Sequence, residues 1–139
     1  MQCAAIPYRW TQTGGLDILL VTTRGKGRGR ENWIIPKGKV KPGKGAALSA
    51  AEEAYEEAGV RGTLDQAPVA RFDLPMAGRE SSEQMQIFAL EVENQTIVWP
   101  EMFQRQRRWA SLDEAMAMLK APHFRQALQD FAAMMAPLV

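Results

Sequence analysis

The chain has 139 residues, of which 46% are hydrophobic and 24% charged, with a net charge of +1. That size and balance predict one soluble domain, residues 1–139, with a real core, and no global field that would select a partner. A single cysteine, Cys3, excludes an internal disulfide and favours a cytoplasmic location. A single histidine, His123, argues against a zinc site of the usual ligands.

The opening "MQCAAIPYRW" has no basic region followed by an apolar run, so no signal peptide is expected. Ala4, Ile6 and Tyr8 alternate there with polar or small neighbours, as in a strand. "LDILLVTTR" (16–24) follows the turn signal Gly14-Gly15 and reads as a stronger strand. "NWIIP" (32–36) is a third short strand, ended by Pro36. A helix is predicted over about 46–58, with Gly59 placed as its C-terminal cap. "APVARFDL" (67–74) and "MQIFALEV" (85–92) have strand patterns, and "TIVW" (96–99) reads as an edge strand or a loop. Ser111 and Glu114 form a capping box for a helix carrying Leu112, Ala115, Met116 and Leu119. A last helix begins near Pro122, with Phe124, Leu128, Phe131, Ala132 and Met135 along one side. Strands interrupted by one helix and closed by two more imply an α/β fold, a mixed sheet with helices on its faces. No window of about 18 apolar residues is present, so no membrane is expected as a partner.

The helix at 46–58 places Glu52, Glu53, Glu56 and Glu57 within six positions. Helical spacing puts Glu53, Glu56 and Glu57 on one face and Leu48, Ala51, Tyr55 and Ala58 on the other, toward a sheet. A solvated helix tolerates such crowding at about 0.2–0.5 kcal/mol per pair. On a partly buried face, two carboxylates about 5.5 Å apart at an effective dielectric of about 20 repel by roughly 3 kcal/mol. A bound cation removes that penalty, and oxygen ligands suit Mg²⁺ or Mn²⁺.

The segment before the helix is basic. Arg24, Lys26, Arg28, Arg30, Lys37, Lys39, Lys41 and Lys44 are eight of the chain's 17 basic residues, and only Glu31 opposes them. Cations that hold phosphates, beside carboxylates that hold a metal bridging to those phosphates, form a coherent pair. Nucleic acid is the competing ligand for such a patch, but aromatics are not interleaved with the cations, so it is not the expected partner.

From Gly38 to Val60 the chain resembles the Nudix box, G-x5-E-x7-R-E-U-x-E-E-x-G-U, where U is aliphatic. Gly38, Glu53, Ala54, Glu56, Glu57, Gly59 and Val60 match it. Two positions depart: Lys44 stands for the glutamate and Glu52 for the arginine. "NWIIPKGK" resembles the strand leading into the box, and residues 107–120 resemble a closing helix of the family. The resemblance implies an α/β/α sandwich with the box helix on one face, and metal-dependent hydrolysis of a diphosphate linked to a moiety X. It implies Glu53, Glu56 and Glu57 as catalytic and metal-binding residues, with Gly38 and Glu52 as further candidates at the metal. Glu53 is the first candidate for the base, and Glu80, Glu83 and Glu101 are alternatives outside the box.

The basic segment resembles most the subgroup that cleaves diphosphoinositol and diadenosine polyphosphates. Arg24, Lys26, Arg28, Arg30, Lys37, Lys39 and Lys41 are then the expected phosphate contacts. In the family the box arginine orients the glutamates. Here Glu52 lies one turn before Glu56, which turns an attraction into a repulsion. That departure motivates a second reading, a catalytically weak module that binds a phosphorylated ligand or an RNA 5′ end. The expected partner is a phosphorylated small molecule. Met116, Met118, Met134 and Met135 read as core filler or a dimer face, so monomer and homodimer both stay open.

Overall fold

The computed structural model describes residues 1–24, 32–76, 78 and 81–136. Strand β1 (Gln2–Trp10) runs through the centre of the sheet. Cys3, Ala4, Ala5 and Ile6 are all fully buried, so both faces of β1 are covered rather than one, which explains its apolar run. β1 pairs parallel with β7 (Ser82–Gln95) and antiparallel with β2 (Leu16–Thr22) and β4 (Lys37–Lys39). β7 is long enough to serve β5 (Val60–Leu64) and β6 (Ala70–Pro75) as well, while β2 carries β3 (Trp33–Ile34) and β8 (Arg107–Ser111). Every described pairing except β1 with β7 is antiparallel, so the sheet is mixed, as expected.

Successive side chains of a strand point to opposite faces. On one face of β1 lies Cys3, whose thiol is pushed up to about 11 by burial and then by Glu53 of helix α1 (Ala46–Ala58). On the other lies Tyr8, its ring 5.0 Å from Phe131 of helix α3 (Pro122–Met135). The two helices therefore enclose the sheet as an α/β/α sandwich. Helix α2 (Leu112–Met118) follows β8 directly. Its capping box is complete: Glu114 N donates to Ser111 Oγ at 3.2 Å, and Ser111 N donates to Glu114 Oε1 at 2.9 Å.

Two expectations change. The sheet-facing stripe of α1 is Ser49, Ala50, Ala54, Glu57 and Ala58, while Leu48 is 52% exposed. Small side chains let the helix lie close to the sheet, and Tyr55 is left at the flank, its ring 3.6 Å beneath the Arg61 guanidinium. Residues 107–111 are a strand, not the start of a helix, because the Ser111 cap starts the helix only after it. Residues 96–99 form a loop, the second of the two readings the sequence leaves open for them. Strands β4 and β5 carry lysine, arginine and glycine in place of an apolar pattern, so only their neighbours reveal them. No helix among the described residues is long and apolar enough to cross a membrane.

Candidate active site

β4 lies against α1 because its backbone pairs with the start of β1, Gln2 opposite Lys39 and Ala4 opposite Lys37. The approach is close: a β-carbon at Gly38 would collide with the Glu53 carboxyl group. That contact is the physical reason for glycine at the start of the box. The Gly38 carbonyl accepts a hydrogen bond from Cys3 Sγ at 3.6 Å.

The carbonyl end of α1 is clamped by the segment after β7. Gly59 takes the left-handed conformation, φ 69°, and its N–H donates to Tyr55 O at 2.9 Å. Arg107 of β8 donates to Ala58 O at 2.9 Å and to Thr96 O at 2.7 Å, and stacks 3.8 Å from the centre of the Trp99 ring. Trp99 Nε1 donates to Glu57 O at 3.1 Å, and Glu101 N donates to Glu56 O at 3.0 Å. Donors and a cation at this end complement the helix dipole.

The four glutamates are not equivalent. Glu57 is 2% exposed, which overturns the expectation that it shares an open face with Glu53 and Glu56. Its Oε1 accepts the Lys37 N–H at 3.4 Å and lies 3.6 Å from Arg105. Arg105 is itself buried, donating to Glu101 Oε1 and to Thr22 O at 2.8 Å each. Burial first, and then the hydrogen bond with Glu53, push the Glu57 carboxyl up to about 9 despite Arg105. Burial and the neighbouring Glu53 thus disfavour a negative charge on Glu57 in the absence of a cation.

The outer glutamates face lysines. Lys41 Nζ lies 2.7 Å from Glu52, 3.2 Å from Glu56 and 4.0 Å from Glu53. Lys44 Nζ lies 2.7 Å from Glu52. The two departures from the box therefore meet each other as an ion pair of reversed polarity. Lys41 bridges the two carboxylates whose repulsion the sequence predicts. Hydrogen bonds from Lys41 and then Lys44 hold the Glu52 carboxyl below its usual range.

Of the expected phosphate contacts, Arg24 and Lys37 line a cavity of about 300 Å³ together with Thr23, Ile34, Glu57 and Arg105. Lys39 is exposed on β4, and Lys41 is turned to the carboxylates. Lys26, Arg28, Arg30 and Glu80 lie outside the described residues. Glu83 pairs with the N-terminal amine and with Gln2, and Glu101 with Arg105. Sequence reasoning misses Arg105 and Arg107. The i,i+4 spacing of Glu101 and Arg105 and the basic run at 105–108 are the signals that could have found them.

Among the described residues no three carboxylate, histidine or cysteine side chains converge into a finished metal cage. Mg²⁺ ordinarily takes only one or two carboxylates and completes its shell with water and phosphate oxygens. The site fits such an ion. The Glu57 carboxyl is buried beside Glu53 and disfavours its own charge there, a cost that a dication would remove. An ammonium sits against the other acids where positive charge is in demand.

A NUDIX domain model matches residues 4–131. The chain belongs to the Nudix family. One relative is "Nudix hydrolase 21, chloroplastic" of Arabidopsis thaliana, 32% identical over 91% of this chain. The chain spans 63% of that protein's length. Among solved structures the Nudix fold recurs in an Ap4A hydrolase of C. elegans, with TM-score 0.70, 18% identity and 97% coverage of each chain. It recurs again in a Nudix hydrolase from Nitrosomonas europaea, with TM-score 0.76, 20% identity, and 96% of this chain and 88% of that one covered.

Proposed function

We propose that this Nudix protein hydrolyses a phosphoric anhydride in a substrate bearing several phosphates, of the diphosphoinositol or diadenosine polyphosphate type, using Mg²⁺ or Mn²⁺. The observation that carries this reading is Glu57, a buried carboxyl in the wall of a cavity whose other charged residues are Arg24, Lys37 and Arg105. Glu53, Glu56 and Glu57 would hold the ion, with Gly38 and Glu52 as further donors. When bound, the dication neutralises phosphate oxygens and makes a water nucleophilic. Glu53 takes the proton of the attacking water as general base. Arg24 and Lys37 bind and orient the phosphate chain, and Arg105 balances the charge on Glu57.

The test is turnover of a diphosphoinositol polyphosphate, a diadenosine polyphosphate and a nucleoside triphosphate, with and without Mg²⁺ or Mn²⁺. Metal-dependent turnover of the first two, lost in Glu57→Gln, is expected. Turnover of no diphosphate, or turnover undiminished in that variant, contradicts the proposal. The second reading, a catalytically weak binding module, draws on Lys41 lying across the acidic face. Metal binding without hydrolysis, or displacement of the ligand by short 5′-triphosphorylated RNA, favours it.

A further inference from the structure

Lys41 is placed by its backbone, not by its ammonium. Its N–H donates to the buried Ser49 Oγ at 3.0 Å, and the preceding Val40 N donates to Met1 O at 3.0 Å. The start of the side chain is thus fixed to α1 itself, and a flexible four-carbon stem carries the charge across Glu52, Glu56 and Glu53. The stem is 33% exposed, so it can swing into water without unpacking the core. Glu52 stays held by Lys44 at 2.7 Å after such a swing, so it does not follow.

We propose that Lys41 is a resident counter-ion. It keeps the acidic face in order in the absence of metal, must vacate it when a dication arrives, and thereby sets the metal affinity of the site. An ammonium and a dication repel each other across the same carboxylates, so occupation by one disfavours the other. Lys41 is a positioning residue in this account: it acts through Glu53 and Glu56. The inference rests on reading that face as a metal site.

The experiment is Mn²⁺ titration, by calorimetry and by electron paramagnetic resonance, of the wild type, Lys41→Met, Lys41→Gln and Lys39→Met. Each sample is also melted without metal. Removing the Lys41 ammonium should lower the metal-free melting temperature and tighten Mn²⁺ binding by about 5- to 10-fold, the scale of one or two partly exposed ion pairs. Lys39→Met removes an equal charge from the neighbouring strand and should change the affinity by less than about 2-fold. A merely structural role would make both Lys41 variants bind Mn²⁺ more weakly. Unchanged or weaker binding in Lys41→Met and Lys41→Gln, or equal tightening in Lys39→Met, overturns the inference and leaves the metal reading standing. Absence of Mn²⁺ binding in the wild type and every variant overturns the metal reading and the inference with it.

Discussion

Glu57 is where the side chain and the helical wheel part company. Its spacing groups it with exposed acids, yet its carboxyl is buried and raised to about 9 from an ordinary 4.5. A raised acid binds its proton more tightly in the folded state. Its stabilising contribution is therefore full below about pH 4.5 and is lost as pH rises through about 9. In metal-free protein, Glu57→Gln should thus gain melting temperature relative to wild type as pH rises across this window, and Mg²⁺ should narrow the gap. A gap that stays constant with pH contradicts the assignment. The same variant should lower turnover by more than about 100-fold, since even outer-shell partners of a metal are worth about 10- to 100-fold. Gly38→Ala forces a methyl group into the Glu53 carboxyl. It should destabilise by about 1–3 kcal/mol in denaturant titration and depress activity with it. The box spacing identified both residues, but the burial that gives Glu57 its chemistry depends on Arg105, Thr22 and Lys37, which are remote in the chain.

At the scale of elements, the structure rests α1 between the Gly38 approach and the clamp at its carbonyl end. Arg107 alone caps Ala58 and Thr96 and covers Trp99. Arg107→Ala should destabilise by about 2–3 kcal/mol through two lost hydrogen bonds and one stacking contact, read as a shift in denaturant midpoint. Lysine should recover only part, because it cannot fork to two carbonyls. A loss under about 0.5 kcal/mol for the alanine variant would refute the clamp. What the sequence made legible here was local chemistry, such as the Ser111–Glu114 box and the Gly59 cap, whose partners lie within one helical turn. What it hid was the packed face of α1. Leu48 and Tyr55 dominate a hydrophobicity reading, yet the alanines make contact because close approach needs small side chains. β4 and β5 were hidden for a related reason: pairing with β1 and β7 defines them, not apolar alternation.

At the scale of the whole molecule, the fold brings two charge systems together at one end of the sheet. An open cavity joins Arg24 and Lys37 to Glu57 and Arg105, and a surface set joins Lys41 and Lys44 to the outer acids. The basic and acidic segments are plain in the sequence, but which lysine serves which partner is a matter of three-dimensional reach. If the segment at 24–30 meets a polyphosphorylated ligand, neutralising Lys26, Arg28 and Arg30 together should raise KM by about 10-fold or more while sparing kcat. Unchanged KM would remove that segment from the site. A hard dication at the acidic helix is what the proposed chemistry requires. The most direct measurement is anomalous diffraction from crystals grown in Mn²⁺. It should reveal manganese within coordination distance of Glu53 and Glu57, with the Lys41 ammonium withdrawn. No anomalous peak at those carboxylates at saturating Mn²⁺, with the Lys41 ammonium still across them, would contradict it.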